Sequence, residues 1–507
     1  MVLRKINRRH RESFNCCAFI LPLLIGALLS WVKDERISLQ RNISLAASLA
    51  LLVVALLLLS MAEQGGIQVY SMGNWHAPFG IVLVLDRLSA LLLATTAMLA
   101  LWVNFYAVAG DDQRGRNFHA LFQFQLAGIN GAFLTGDLFN LFVCFEILLI
   151  ASYALLLHGL GAERLRSAVH YVILNLVGSS LFLLGAGLFY GVAGTLNMAD
   201  LARFVAQAQG DERYLLQAAG WVLLLVFGLK AAFLPLHFWL PRAYASATAP
   251  VAALFAIMTK VGLYAILRMT TLVFGGQTGA AAGFGLDVLF VIALLTMMLG
   301  ALGAFAAGTL HSMLAYLVLV SVGTLLAGIS MGSEAALTAS LYYLLHSTWG
   351  IAGLFLLADL IAKQRGKLKG IFRTGAPLLT PARLGALFFV GAVATAGLPP
   401  FSGFVGKLSL LQAAQGIQQG FLWVTVLLAS LVVLLALSRA GSVLFWQHTG
   451  AIDEHARFST PAFVSAVALI GSGVLLVIFA EPVLAFCQAS AQQLLQSELY
   501  LQQLAGE

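Results

Sequence analysis

The sequence predicts an all-α polytopic membrane protein of about fourteen transmembrane helices, and three observations carry that prediction. Of its 507 residues, 61% are hydrophobic and only 10% charged, where a soluble protein carries about 25% charged residues. Apolar runs of about twenty residues, the length that crosses a hydrocarbon core, recur along nearly the whole chain. Two of these runs are interrupted by proline, at LPLHFWLP and LPPFSGF, a pattern tolerated in a membrane only where protein or water satisfies the freed backbone groups. The net charge of +7 comes without a basic helix or an aromatic and basic platform, which excludes nucleic acid. Cys16, Cys17, Cys144 and Cys487 form no CxxC or Cys/His cluster. A zinc, haem or iron–sulfur site is therefore excluded, and no cofactor or metal centre is expected.

Taken in order, residues 1–117 hold runs at 14–32, 43–62 and 86–108. Residues 118–270 hold five, at 118–136, 138–158, 168–192, 215–235 and 248–270. Residues 271–446 hold five more, at 285–307, 311–330, 334–361, 383–414 (interrupted) and 420–446. Residues 447–507 hold a last run at 461–485 and a tail from Phe486 to Glu507 that reads as an amphipathic helix at a membrane interface. The two groups of five predict a repeat: Pro235 and Pro399 are 164 residues apart, and Glu146 and His311 are 165 apart. Because five is odd, the two units are inverted, and the seventh and twelfth helices are the broken ones, as in transporters built from inverted repeats. Lysine and arginine in the connections favour one face by 16 to 4 once the N-terminal run is set aside. That bias puts both termini outside. The run LRKINRRHR argues the other way and resembles the start of a signal peptide, although no A-x-A site precedes Trp31.

The polar residues inside the runs form a set. Lys230 and Lys260 stand in almost pure hydrocarbon sequence. A lysine at the centre of a membrane helix costs roughly 2.5 to 3.5 kcal/mol, which makes it a functional residue by default; the bland alternative is a side chain that snorkels to a helix end. Lys407 follows the second break, and Glu146 lies among Phe145, Ile147 and Leu148, where a carboxylate must be neutral or paired. Asp137 stands nine residues earlier at the membrane edge, where capping the helix serves as well as function. His237, seven residues after Lys230 and near the same helical face, His311 and His346 would bridge the gaps between lysines, or simply pack. GFVGKLS is not a phosphate loop, since Phe401 replaces its first glycine and Leu408 its Ser or Thr.

The runs TGDLFNLFVCFE, FGLKAAFLPLHFWLPRAYASATAPVAAL and GLPPFSGFVGK, with Lys260, together resemble the proton-translocating antiporter family shared by respiratory complex I and the Mrp-type multisubunit monovalent cation/proton antiporters. The likeness covers nearly the whole chain. GDLFNLFV and Lys407 are similar to the D-type Mrp subunit; the complex I subunit of similar length usually has glutamate there. The larger relatives carry a lateral helix or a long C-terminal extension, and this chain, ending at Glu507, has neither. Two departures are the basic N-terminus and the dry tenth run, where Leu317, Val318 and Leu319 replace a polar stretch.

What the resemblance implies is a multi-pass subunit of a bacterial inner membrane, working with other subunits and the lipid bilayer to exchange outward Na+ or K+ for inward protons. Glu146 and Lys230 would form a switchable ion pair. Lys230 would release its proton when the pair opens, through His237 and water to Lys260, then by His311 or His346 to Lys407. Asp137 and Glu146 are the carboxylates available to a cation. The alternative within the same resemblance is a proton-pumping membrane subunit of complex I or a membrane-bound hydrogenase, driven by an attached electron-transfer arm. A stand-alone solute transporter is a further alternative, and no nucleophile and base arrangement suggests an enzyme.

Overall fold

Hydrocarbon offers backbone amides no water, so an apolar run satisfies them internally by forming a helix. The computed structural model describes residues 14–75, 77–452 and 457–505, and each predicted run contains a helix. The N-terminal run LRKINRRHR lies outside the described residues. The first group is α1 Cys17–Trp31, α2 Ile37–Gly65 and α3 Arg87–Ala107. Then come α4 Phe118–Leu134, α5 Leu138–Leu157, α6 Ala162–Ala193, the short α7 Met198–Gln207, α8 Gly210–Ala231, α9 Trp239–Ser246, α10 Ala249–Phe255 and α11 Met258–Arg268. The second half has α12 Leu286–Ala306, α13 Leu310–Ser330, α14 Glu334–Gln364, α15 Pro381–Ala396, α16 Ser402–Ala413 and α17 Gly416–Gly441, followed by α18 Thr460–Ile478, α19 Ala480–Leu495 and α20 Ser497–Ala505. Among the described residues, eleven helical spans are long and apolar enough to cross a membrane.

Both breaks are present, and each has an identifiable local cause. A proline ring clashes with the carbonyl four residues earlier, which for Pro235 belongs to Ala231, the last residue of α8. Ala232 turns left-handed at φ +61° and the chain crosses a short turn, Leu236–Phe238, into α9. The freed groups find partners: Trp239 Nε1 donates to the Leu229 carbonyl at 2.9 Å, and the Leu234 amide donates to Thr296 Oγ1 at 2.9 Å. The second break separates α15 from α16 at Gly397, φ +83°.

Three features add to the expected fold. The connection before α3 holds a short hairpin, in which β1 Gln68–Ser71 pairs antiparallel with β2 Val82–Leu85. The apolar, β-branched run VLVL is buried at every position and is covered by the turn before α5, whose Gly136 amide donates to the Val82 carbonyl. One face of the tail packs on its own chain. Cys487 and Ala491 are fully buried, and Gln488 and Gln492 each donate to Glu334 Oε1 at 2.9 Å. Arg268, one of the four cations on the minority face in the sequence count, is buried and paired with Asp86 at 2.6 Å. The distance in sequence between these partners hid the pair.

Candidate functional site

Lys230, Lys260 and Lys407 are 5%, 0% and 6% exposed, so none of them snorkels to water. Each lies well inside an apolar run: Lys230 within the broken span Gly210–Ser246, Lys260 within Ala249–Val273, and Lys407 with its ammonium turned back to the break that halves the twelfth run. Glu146 sits midway along α5 and His346 in the inner part of α14.

The helices of Lys230 and Lys260 are neighbours, and so are those of His346 and Lys407. Gly262 of α11 packs on the end of α8 so closely that a Cβ there would fall 2.5 Å from the Ala231 nitrogen, which sets Lys260 beside the helix of Lys230. Lys260 Nζ donates to Ser321 Oγ of α13 at 3.3 Å. A cavity of about 20 Å³, in which Lys260, Tyr264 and Ser340 stand among nine leucine and isoleucine side chains, is large enough for one water molecule. Farther on, His346 Nδ1 is 2.8 Å from Ser402 Oγ at the start of α16. A second cavity of about 10 Å³ lies among Tyr343, His346 and Thr395. Lys407 Nζ donates to the carbonyls of Ala396 at 2.9 Å and Thr395 at 3.3 Å and to Ser430 Oγ at 2.9 Å. The lysine thereby satisfies carbonyls that the end of α15 leaves open.

Three sequence expectations differ from this arrangement. Glu146 and Lys230 are not an ion pair within 4 Å. Lys230 Nζ donates to Asn175 Oδ1 at 3.1 Å, while Ser179 Oγ donates to the Glu146 carboxylate. His237 lies beyond the end of α8, so its seven-residue spacing from Lys230 does not put both on one helical face; it is buried in the turn Leu236–Phe238. His311 stands on the first turn of α13 beside Gly370, under the influence of Asp359 and Lys369. Ser321 is the α13 residue that meets Lys260, about 15 Å farther along the helix, and the dry stretch Leu317–Leu319 separates them.

Asp137 takes the capping role. Its carboxylate accepts the Asn140 amide at 2.9 Å, and burial raises its proton affinity against that bond and one from the Phe139 amide. Nine helical residues, roughly 13 Å, separate it from Glu146, so the two carboxylates do not converge. Among the described residues no group of three or more His, Cys, Asp or Glu could hold a metal ion.

One membrane edge carries an ionic cluster that sequence reasoning missed. Asp112 joins Arg41 at 2.7 Å and His119 at 3.1 Å, and Lys363 bridges Asp111 at 2.9 Å and Asp359 at 2.6 Å. Burial pushes the Asp112 carboxyl up, but its hydrogen bonds from His119 and Arg41 outweigh that and hold it at about 2. Asp111 is raised, by burial and then by Asp359, and His158 is lowered by burial. Also missed were Asn175, Ser179, Ser321, Ser402 and Ser430; their only signal was a polar side chain in an apolar run.

The description NADH:quinone oxidoreductase/Mrp antiporter, transmembrane, belongs to the family model that matches residues 135–433. The D-type subunit of the probable K(+)/H(+) antiporter of Rhizobium meliloti (strain 1021) is 41% identical over 511 residues, covering 94% of each chain. The D-type subunit of the Na(+)/H(+) antiporter of Bacillus subtilis (strain 168) is 36% identical, covering 96% of this chain and 99% of that one. Among solved structures, a chain of the Mrp complex from Dietzia sp. DQ12-45-1b superposes with a TM-score of 0.87 at 28% identity, covering 97% of this chain and 99% of that one.

Proposed function

Because the chain belongs to the NADH:quinone oxidoreductase/Mrp antiporter family of transmembrane subunits, we propose that it is the D-type subunit of a multisubunit monovalent cation/proton antiporter in a bacterial cell membrane. It moves protons along Glu146, Lys230, Lys260, His346 and Lys407 in exchange for Na+ or K+, driven by the proton motive force. His237 stands beside the first break as a further carrier. The observation that carries the reading is the set of three lysines buried within the apolar runs, two of them beside a helix break. The proposal includes fourteen crossings with both termini outside, and two inverted units, residues 118–270 and 271–446. It is supported by the two breaks, each beside a buried lysine.

The row can work by proton exchange between each ammonium and a water or imidazole next to it. Lys260 has the cavity shared with Ser340 and Tyr264 on one side. His346 has the cavity shared with Thr395, whose carbonyl accepts from Lys407. Serine hydroxyls at Ser321, Ser402 and Ser430 both donate and accept, so they can follow a change of charge without moving a helix. The partners are the other subunits and the lipid around the exposed apolar faces.

Everted vesicles from an antiporter-deficient host, carrying this chain with its neighbouring genes, test the reading. Na+ or K+ should collapse an imposed proton gradient, and Glu146→Ala, Lys230→Ala or Lys407→Ala should abolish the response while the assembly still forms. Wild-type exchange in any one variant removes that residue from the mechanism. Lack of a cation response, with iron–sulfur subunits co-purifying, would reassign the row to a redox-driven pump.

A further inference from the structure

The acid and base at the head of the row are held apart by a third helix. Asn175 and Ser179 lie four residues apart on α6, a spacing that puts them on one helical face. One takes the base and the other the acid: Asn175 Oδ1 accepts from Lys230 Nζ, and Ser179 Oγ donates to Glu146. The assignment of the Asn175 amide follows from its other end, since Nδ2 donates to the Tyr171 carbonyl at 2.9 Å and so turns the oxygen to the ammonium. An ammonium only donates, so the reverse orientation would lose both bonds. Gly178, between the two, brings the helices together: a Cβ there would fall 2.7 Å from Leu229 Cδ2 and 3.7 Å from Lys230 Nζ.

We propose that Asn175 and Ser179 are positioning residues that latch the Glu146–Lys230 pair in its open arrangement, so that α6 sets the balance between the open and closed states. The inference rests on the antiporter reading above. An acid and a base with no other partners in apolar surroundings close on each other, and a pair that stays closed cannot pass a proton onward. Hydrogen bonds to charged groups are the strong class, and the latch supplies one to each partner. Lys230 Nζ also lies 5.9 Å from the centre of the Phe145 ring, which favours the open position. Titratable groups near the pair include Tyr153, which feels Glu146, Tyr171, whose ring meets that of Tyr153, and Lys260 on the helix packed against α8.

The test uses the assembled complex in everted vesicles and follows exchange rate against pH. Ser179→Ala and Asn175→Leu, which remove one latch contact each without enlarging the side chain much, should slow exchange by about tenfold, the worth of one hydrogen bond to a charge. They should also move the pH optimum upward by about one unit, as Lys230 keeps its proton in a closed pair. Ser179→Thr, which keeps the hydroxyl, should restore both readouts. A lower rate with an unmoved optimum, or Ser179→Thr no better than Ser179→Ala, means that α6 merely packs, and it overturns the latch. If Asn175→Leu fails to assemble, the serine variants decide alone. Lys230→Ala separates the two levels. An inactive Lys230→Ala beside wild-type rate and optimum in the latch variants refutes the latch and spares the row, whereas an active Lys230→Ala refutes both.

Discussion

Each buried lysine of the row donates to neutral acceptors: Lys230 to an amide, Lys260 to a hydroxyl, and Lys407 to two carbonyls and a hydroxyl. Among the described residues none is ion-paired within 4 Å, so a departing proton strands no carboxylate beside it. The edge cluster behaves in the opposite way. Asp112, held at about 2 against an ordinary value near 3.9, contributes stability that is complete above about pH 4 and is lost as the pH falls towards 2. The thermal midpoint of the solubilised protein should therefore fall across that window. Asp112→Asn should remove this part of the dependence and destabilise the protein at pH 7 by about 3 kcal/mol, because Arg41 and His119 lose their buried acceptor; an unchanged acid profile would show that the cluster does not bear on stability. The lysines were legible in the sequence because a charge in an apolar run stands out. Their acceptors were not, since serine and asparagine are ordinary in membrane helices, and which of them meets a lysine depends on helix packing.

At the scale of elements, both breaks could be read from proline, but the place where each helix ends depends on the backbone. Gly397 closes α15 in the left-handed region at φ +83°, and a Cβ there would lie 2.6 Å from Lys407 Cδ and 2.9 Å from its Nζ. Gly397→Ala should cost about 1 to 2 kcal/mol in backbone strain and push the lysine off the α15 carbonyls, abolishing exchange. Gly194, at φ +69° with nothing within 4 Å of its added Cβ, is the control: Gly194→Ala should cost similar stability and keep exchange. Equal activity in both variants would separate Lys407 from the end of α15. The hairpin β1–β2 escaped the sequence reading because its strands are short and border a long apolar helix. The helical face of His237 was misjudged because helical spacing was carried across a break that ends the helix first.

At the scale of the molecule, the helix positions were legible because hydrocarbon thickness fixes their length. The ties that join distant segments were not. Asp86 with Arg268, and the tail with Glu334, are pairings between parts of the chain far apart in sequence, and no local pattern announces them. The proposed row, whose three lysines lie well inside their apolar runs, has an electrical consequence. A charge crossing the whole bilayer does work of roughly 2.3 kcal/mol per 100 mV, but that work is done only by displacement along the membrane normal. In the proposed row, steps from Lys230 to Lys260 and on to Lys407 would run sideways, along a near-equipotential surface, so voltage would act chiefly on the access routes at either end. Slowing a step within the row, as by Ser321→Ala, should therefore lower the transport current at every potential by a common factor and leave the shape of the current–voltage curve unchanged. A curve that steepens or flattens in that variant would show that the row climbs through the field.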